Sequence, residues 1–188
     1  MIVDGPYPRG PRVHFRPLVK EDSTGPYLEW INDPRVRRFL VFRAPRLEPP
    51  DLEAYIEEMN TASAEFVLAV CRNDNGLHSG NIKLENISRD HLTASMSIVI
   101  GDAACWGQGI GTEVIALMTR YGFERLGLLR IDSGCFADNL GSVRAFEKCG
   151  YLREGLSREL YSLDGKRMDA VRMGLLVTDP PAWKAFLD

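Results

Sequence analysis

Apolar positions change their spacing several times along the chain, and each change predicts an element. Residues 13–18 alternate, with Val13 and Phe15 between polar neighbours, and predict a strand. A helix is predicted over 21–32, interrupted by Pro34. Pro45, Pro49 and Pro50 mark a loop. Asp51 then reads as the N-cap of a helix over 52–60, which sets Leu52, Tyr55, Ile56 and Met59 on one face. From 65 to 71 Phe66, Val67, Leu68 and Val70 form the continuous apolar run of a buried strand. Strands over 79–85 and 92–100 follow, set off by turns at Asn75-Gly76 and 86–90. These three read as an antiparallel meander.

A glycine loop comes next, then a helix over 109–126 with the stripe Ile110, Val114, Leu117 and Tyr121, stopped at Gly127. A strand over 129–136 precedes a helix over 139–149, with Val143, Phe146 and Cys149 on one face. Strands over 151–163 and 168–177 close the chain as a hairpin around Asp164-Gly165. The order predicts an α/β (α+β) domain, a mixed sheet with helices on both faces.

Composition narrows this little. The 188 residues, 45% hydrophobic and 26% charged, suit one globular domain with its own core. It is read as residues 13–178, with a flexible Pro/Gly-rich arm at 1–12 and a tail at 179–188. A net charge of -3 gives no footprint for nucleic acid. No apolar run approaches the roughly 20 residues that span a bilayer, and 1–12 has no apolar centre for a secretory signal. No membrane partner is therefore expected, and the setting is read as cytoplasmic. Cys71, Cys105, Cys135 and Cys149 stand far apart with no CxxC pair, so neither a metal site nor a disulfide framework is indicated. Cys105 beside the glycine loop reads as a small half-buried residue before it reads as a nucleophile, since no His nearby in sequence would activate it.

The loop Trp106-Gly107-Gln108-Gly109-Ile110-Gly111 carries the chemistry. Its glycines let backbone approach a ligand, and the helix that follows offers unpaired N–H groups and a positive dipole end, an anion site suited to a pyrophosphate. A tight structural turn has the same composition. A P-loop needs Lys where Thr112 stands. A dinucleotide fingerprint needs a different glycine spacing and a parallel strand before it, and Asp132 falls inside the next strand rather than at its end.

With Thr112-Glu113, this loop resembles the coenzyme A loop of the GNAT superfamily of N-acetyltransferases. Asn139-Leu140-Gly141-Ser142, continuing to Phe146-Glu147-Lys148-Cys149-Gly150-Tyr151, resembles that superfamily's second signature. Trp30-Ile31-Asn32-Asp33-Pro34 and the Asp164-Gly165 hairpin resemble its RimJ/RimL branch. The resemblance covers about 13–177. It implies a GNAT-type sheet of about seven strands in which two parallel strands splay apart to hold acetyl-CoA as co-substrate. Ile98, Val99 and Ile100 would pair with pantetheine. Gln108, Gly109, Ile110, Gly111 and Thr112 would cradle the pyrophosphate, Thr112 adding a hydroxyl. Asn139 would bond the pantetheine arm, Ser142 would face the thiol, Phe146 would line the site, and Lys148 would reach a coenzyme phosphate. N-capping by Asn139, a core place for Phe146 and a solvated Lys148 are the structural alternatives.

Many relatives carry Tyr at Phe146, as the acid that protonates the departing thiolate; Ser142 is the substitute here. Many carry Glu at Ser95, so the base is sought at Glu85, His91 or Asp132. The implied function is transfer of an acetyl group to a primary amine, either a protein N-terminal amine or a small molecule such as an amino sugar. A non-catalytic acyl-CoA sensor or scaffold of the same fold is the alternative, and an oxidoreductase with a dinucleotide at the loop is a third reading. A homodimer is left open. Arg35, Arg37, Arg38, Arg43 and Arg46 either recognise an anionic acceptor or form a solvated face balanced by Glu48, Asp51, Glu53, Glu57 and Glu58.

Overall fold

The continuous apolar run at Phe66–Arg72 is buried on both faces of a sheet. Phe66, Leu68 and Val70 join one core, while Val67, Ala69 and Cys71 join another on the opposite side. Two separate cores mean helices on both faces. The structure, a computed structural model, describes residues 5–41, 46–163 and 165–187.

Seven strands run β1 (Val13–Pro17), β2 (Phe66–Arg72), β3 (His78–Ser88), β4 (Thr93–Ile100), β5 (Arg130–Phe136), β6 (Leu152–Leu163) and β7 (Lys166–Leu176), in sheet order β1-β2-β3-β4-β5-β7-β6. All neighbours are antiparallel except β4 and β5. The helices are α1 (Pro26–Ile31), α2 (Pro34–Arg37), α3 (Pro49–Thr61), α4 (Ile110–Arg120) and α5 (Leu140–Lys148). Helices α4 and α5 share one core with one face of the sheet; α1, α2 and α3 share the other. Trp183, in a 3-10 turn near the C-terminus, is buried in the α4/α5 core, and Tyr7 packs against it. Among the described residues no helix is long and apolar enough to cross a membrane. All four cysteines are buried free thiols.

Three expectations need correction. The helix over 21–32 is two pieces, a 3-10 turn at Lys20–Thr24 and then α1, because Gly25 is extended and Pro26 opens a new helix at its first position. Helix α3 starts at Pro49, with Glu48 as N-cap; Asp51 is its N3 residue and accepts from the Glu48 N–H at 2.8 Å, the reciprocal half of a capping box. The 109–126 helix is α-helical only to Arg120 and finishes in a π-turn, Tyr121–Arg125, before Gly127 at φ +69°. Arg43, Pro45 and Asp164 lie outside the described residues.

Gly101, just past β4, lies flat on the indole of Trp30. A Cβ there would stand 1.9 Å from Cδ2 of the ring. Gly101→Ala must push α1 off the sheet, so it should lower unfolding free energy by about 1–3 kcal/mol, read from urea denaturation.

Candidate active site

The site begins where β4 and β5 part. Their parallel ladder runs Thr93↔Arg130, Ala94↔Ile131, Ser95↔Asp132 and stops, although β4 continues to Ile100 and β5 to Phe136. In a strand the two peptide groups of a residue point to one edge, and the edge alternates. The Leu92 carbonyl accepts from Leu129 and Arg130, and the Ile100 carbonyl accepts from the Trp106 indole N–H at 2.7 Å. The even-numbered residues of β4 therefore address β5. Ile98 turns both backbone groups into the gap, Val99 turns its own to β3, and Ile100 has its carbonyl taken. Trp106 is thus a strap that fastens the glycine loop to the end of β4, a role its sequence position did not reveal.

The loop itself is organised by Arg12. Its Nη1 donates to the Gln108 carbonyl at 2.6 Å and its Nη2 to the Gly109 carbonyl at 3.2 Å. Because a trans peptide sets N–H opposite C=O, the N–H groups of Gly109 and Ile110 face away from Arg12. Among the described residues, no backbone N–H from Gly107 to Thr112 makes a close, well-aligned backbone hydrogen bond outside the helix. Gly107 and Gly109 have φ of +73° and +80°, and a Cβ on Gly107 would stand in open space. Unpaired donors at the start of an 11-residue helix, with no side chain over them, suit an anion. Arg12 is held in turn by the buried Glu113, whose Oε2 accepts from Nε at 2.6 Å and whose Oε1 accepts from the Arg12 N–H at 2.9 Å. Sequence reading missed this pair, since 101 residues separate its members. Thr112 is buried, its carbonyl receiving the Cys149 thiol, so it meets a ligand through its N–H more readily than through its hydroxyl. Burial pushes the Cys149 thiol up to about 12.

Across the gap, Asn139 caps α5, its Oδ1 accepting from the Ser142 N–H at 3.2 Å. Asn139 and Ser142 line a cleft of about 590 Å³, together with Ile98, Val99, Cys135 and Phe146. The Ser142 Oγ lies 3.4 Å from the Cys135 Sγ. Phe146 is 1% exposed and packs edge-on against Tyr151, whose hydroxyl pairs with Thr119 inside the core. Lys148 is exposed at the far end of α5 and does not line the cleft.

The cleft continues onto the α1–α3 face. Glu85 lines it, and the register places Glu85, Ser95 and Asp132 in one row across three strands at the fork. Ser95 donates to Asp132 at 2.9 Å. Lys83 bridges Glu65 at 2.5 Å and Glu85 at 3.2 Å. His91 sits in the exposed turn before β4, at the closed end of the parallel ladder, outside the cleft lining. None of Arg35, Arg37, Arg38 and Arg46 lines the cleft either. Arg35 pairs with Asp33 at 2.6 Å, Arg46 reaches Glu48 at 3.7 Å, and the guanidinium of Arg38 lies over Phe39. Two of the wall residues, Tyr27 and Asn81, rest on a buried network. The Asn81 Oδ1 and the Gly80 carbonyl lie 2.8 and 2.9 Å from the His78 Nε2, which therefore carries a proton. Behind it Asp22 takes two 2.7 Å hydrogen bonds from Arg16.

The sequence profile of the family described as "Acetyltransferase (GNAT) domain" matches residues 12–152. The "Probable N-acetyltransferase YjcK" of Bacillus subtilis (strain 168) is 35% identical over 100 residues, 53% of this chain; the match spans about half of that relative, 55%. Among solved structures, spermidine N-acetyltransferase from Vibrio cholerae in complex with CoA and spermine superposes with a TM-score of 0.80 at 23% identity, covering 89% of this chain and 96% of that one. Mycobacterium smegmatis RimJ in complex with CoA-disulfide gives 0.81 at 15% identity, covering 92% and 86%. At these identities the two structures speak for the fold, including its parted β4 and β5.

Burial alone would raise the Asp22 carboxyl, but Arg16, His78 and the Val19 N–H outweigh it and hold it below the usual carboxylate range. A carboxyl depressed by folding stabilises above its unfolded value, about 3.9, and loses that contribution as pH falls through its lower folded value. Asp22→Asn should therefore cost about 3 kcal/mol at pH 7, and the gap to the parent protein should narrow below pH 4. Denaturation curves at pH 7 and pH 3 check both.

Proposed function

The chain belongs to the GNAT acetyltransferase family, and from that premise we propose that it moves an acetyl group from acetyl-CoA to a primary amine in a ternary complex. The observation that supports this reading most is the continuity of the cleft. One cavity joins the opened edge of β4, the start of α5 and the α1–α3 wall, and the unpaired loop N–H groups stand just past the end of that strand. The 30–34 segment favours the RimJ/RimL branch.

In this reading the N–H groups from Gln108 to Thr112 bind the pyrophosphate, Ile98 pairs with pantetheine beside Val99 and Ile100, and Asn139 holds the arm through its amide nitrogen. The amine nitrogen attacks the thioester carbonyl carbon and the carbon–sulfur bond breaks. Ser142 donates a proton to the departing thiolate and is restored from solvent. Glu85, directly or through water, accepts the proton that the nitrogen sheds. Both reactants held in one cleft supply the orientation. The buried, hydroxyl-free Phe146 is what favours the second reading, an acyl-CoA-binding sensor without turnover.

Thiol release with acetyl-CoA and an amine panel separates the two readings: coenzyme binding without release from any amine leaves the sensor. A Cβ at Gly111 meets only Ile100, at 3.7 Å, so Gly111→Val should fold yet lose coenzyme binding by calorimetry. Ser142→Ala should lower kcat about 100-fold while the Kd for CoA stays within about threefold. Arg12→Ala should weaken CoA binding about tenfold but leave acetyl-pantetheine, which has no pyrophosphate, unaffected. Equal losses for both ligands would reduce Arg12 to a fold-holding residue.

A further inference from the structure

We infer that the acceptor is a primary amine carried on an apolar, ring-sized group, and not a polyamine, an amino sugar or an anionic amine. This rests on the transfer reaction proposed above and concerns the α1–α3 half of the same cleft.

Three features of the wall define it. Its surface is apolar and aromatic, formed by Tyr27, Trp30, Phe39, Leu47, Leu52 and Tyr55. Tyr27 and Trp30 stack at 4.6 Å, and Phe39 meets Phe136 at 5.8 Å. Rings held this way offer flat contact area at little entropic cost.

The charge is net negative among the described residues. Asp51, Glu85 and Lys83 line the cleft, Glu65 stands behind, and Lys83 is the one cation among the described lining residues. The cluster of Glu65, Lys83 and Glu85 is net negative when ionised, which draws a cationic amine towards the fork. With no arginine among the described lining residues, a phosphate or carboxylate on the acceptor would find only Lys83, already held by two carboxylates.

Two of the polar groups on this wall are already committed. The Asn81 Oδ1 is taken by His78, and Asp51 accepts from the Glu48 N–H. A sugar would bring several hydroxyls against a wall that is mostly aromatic and aliphatic, and each hydroxyl buried there without a partner weakens binding. A polyamine would bring further ammonium groups to a site with Asp51 half committed and Lys83 in the way. One amine on an apolar body asks the fewest polar partners of such a wall.

The same chemistry has two sources, a free arylalkylamine or the first residue of a peptide. The test is steady-state thiol release at saturating acetyl-CoA with 2-phenylethylamine, a tetrapeptide beginning with Phe, spermidine, glucosamine and glucosamine 6-phosphate. We expect kcat/KM for 2-phenylethylamine or the Phe peptide to exceed that for the other three at least 100-fold; the better of the two names the source. Phe39→Ala should raise KM for that acceptor about tenfold with the Kd for CoA unchanged. Tyr55→Phe keeps the ring and should leave KM within about twofold, so a misfolded alanine variant cannot decide the matter. Preferred turnover of spermidine or either amino sugar overturns this inference and leaves acetyl transfer standing. Coenzyme binding with no turnover of any amine overturns both.

Discussion

A buried carboxylate at the start of a helix sets the geometry of the donor side. Glu113 is 1% exposed in the first turns of α4. Taking that charge out of water costs several kcal/mol unless it is met by donors. The positive end of α4 favours it, and the N–H groups of Arg12 and Val13 and the Arg12 Nε satisfy it. Meeting those demands pins the entry of β1 to the mouth of α4. It also excludes a side chain at Gly10, where a Cβ would lie 2.6 Å from the Glu113 Oε1. The rest of the Arg12 guanidinium is then left to hold two loop carbonyls, and holding them turns the loop N–H groups outward. The direction of the anion site follows from satisfying one acid.

The parting of β4 and β5 has its own supports. A sheet opened in its middle exposes backbone donors and acceptors that would normally pair. The opening persists because both strands are secured elsewhere. β4 is bonded along its length to β3, β5 to β7, and the Trp106 indole closes the last carbonyl of β4. The two cores then fill the space on either side, so the gap has walls and does not collapse. The only β4 residue beyond the ladder that addresses the gap with both groups uncommitted is Ile98, which is where an extended ligand could complete the sheet.

Much of this was legible in the sequence. The doubly buried strand, the meander and the closing hairpin follow from period and turn chemistry, which are local, while the two signatures were legible only as a family resemblance. The failures were also local in origin but decided by competition. Asp51 is a good cap in isolation, yet Pro49 and Pro50 tolerate the first turn so well that the helix begins earlier and Asp51 becomes the reciprocal acceptor. Pro26 after an extended Gly25 restarts a helix that the apolar spacing alone would run straight through. The roles of Arg12 and Trp106 could not be read from the sequence, because their partners are fixed by topology. The arginine cluster at 35–46 looked like an anion reader by count, but Arg35 points to Asp33, Arg46 to Glu48, Arg38 to a ring face and Arg37 to the Asn32 side-chain oxygen, and a count of charges does not record their direction.

Asn139 shows why a structural and a functional reading of one residue need not compete. Its Oδ1 is committed to the Ser142 N–H, which is the cap. That commitment fixes the amide plane, and the remaining Nδ2 belongs to a side chain that lines the cleft. The same bond holds the first turn of α5, and with it the Ser142 Oγ beside Cys135. A group that must meet a ligand in one orientation gains from being fastened before the ligand arrives, since the entropy of ordering it is then lost during folding and not during binding. Capping at Asn139 is thus a means of preorganising the two polar groups of α5 that face the parted strands, just as Glu113 preorganises Arg12 on the other side of the gap.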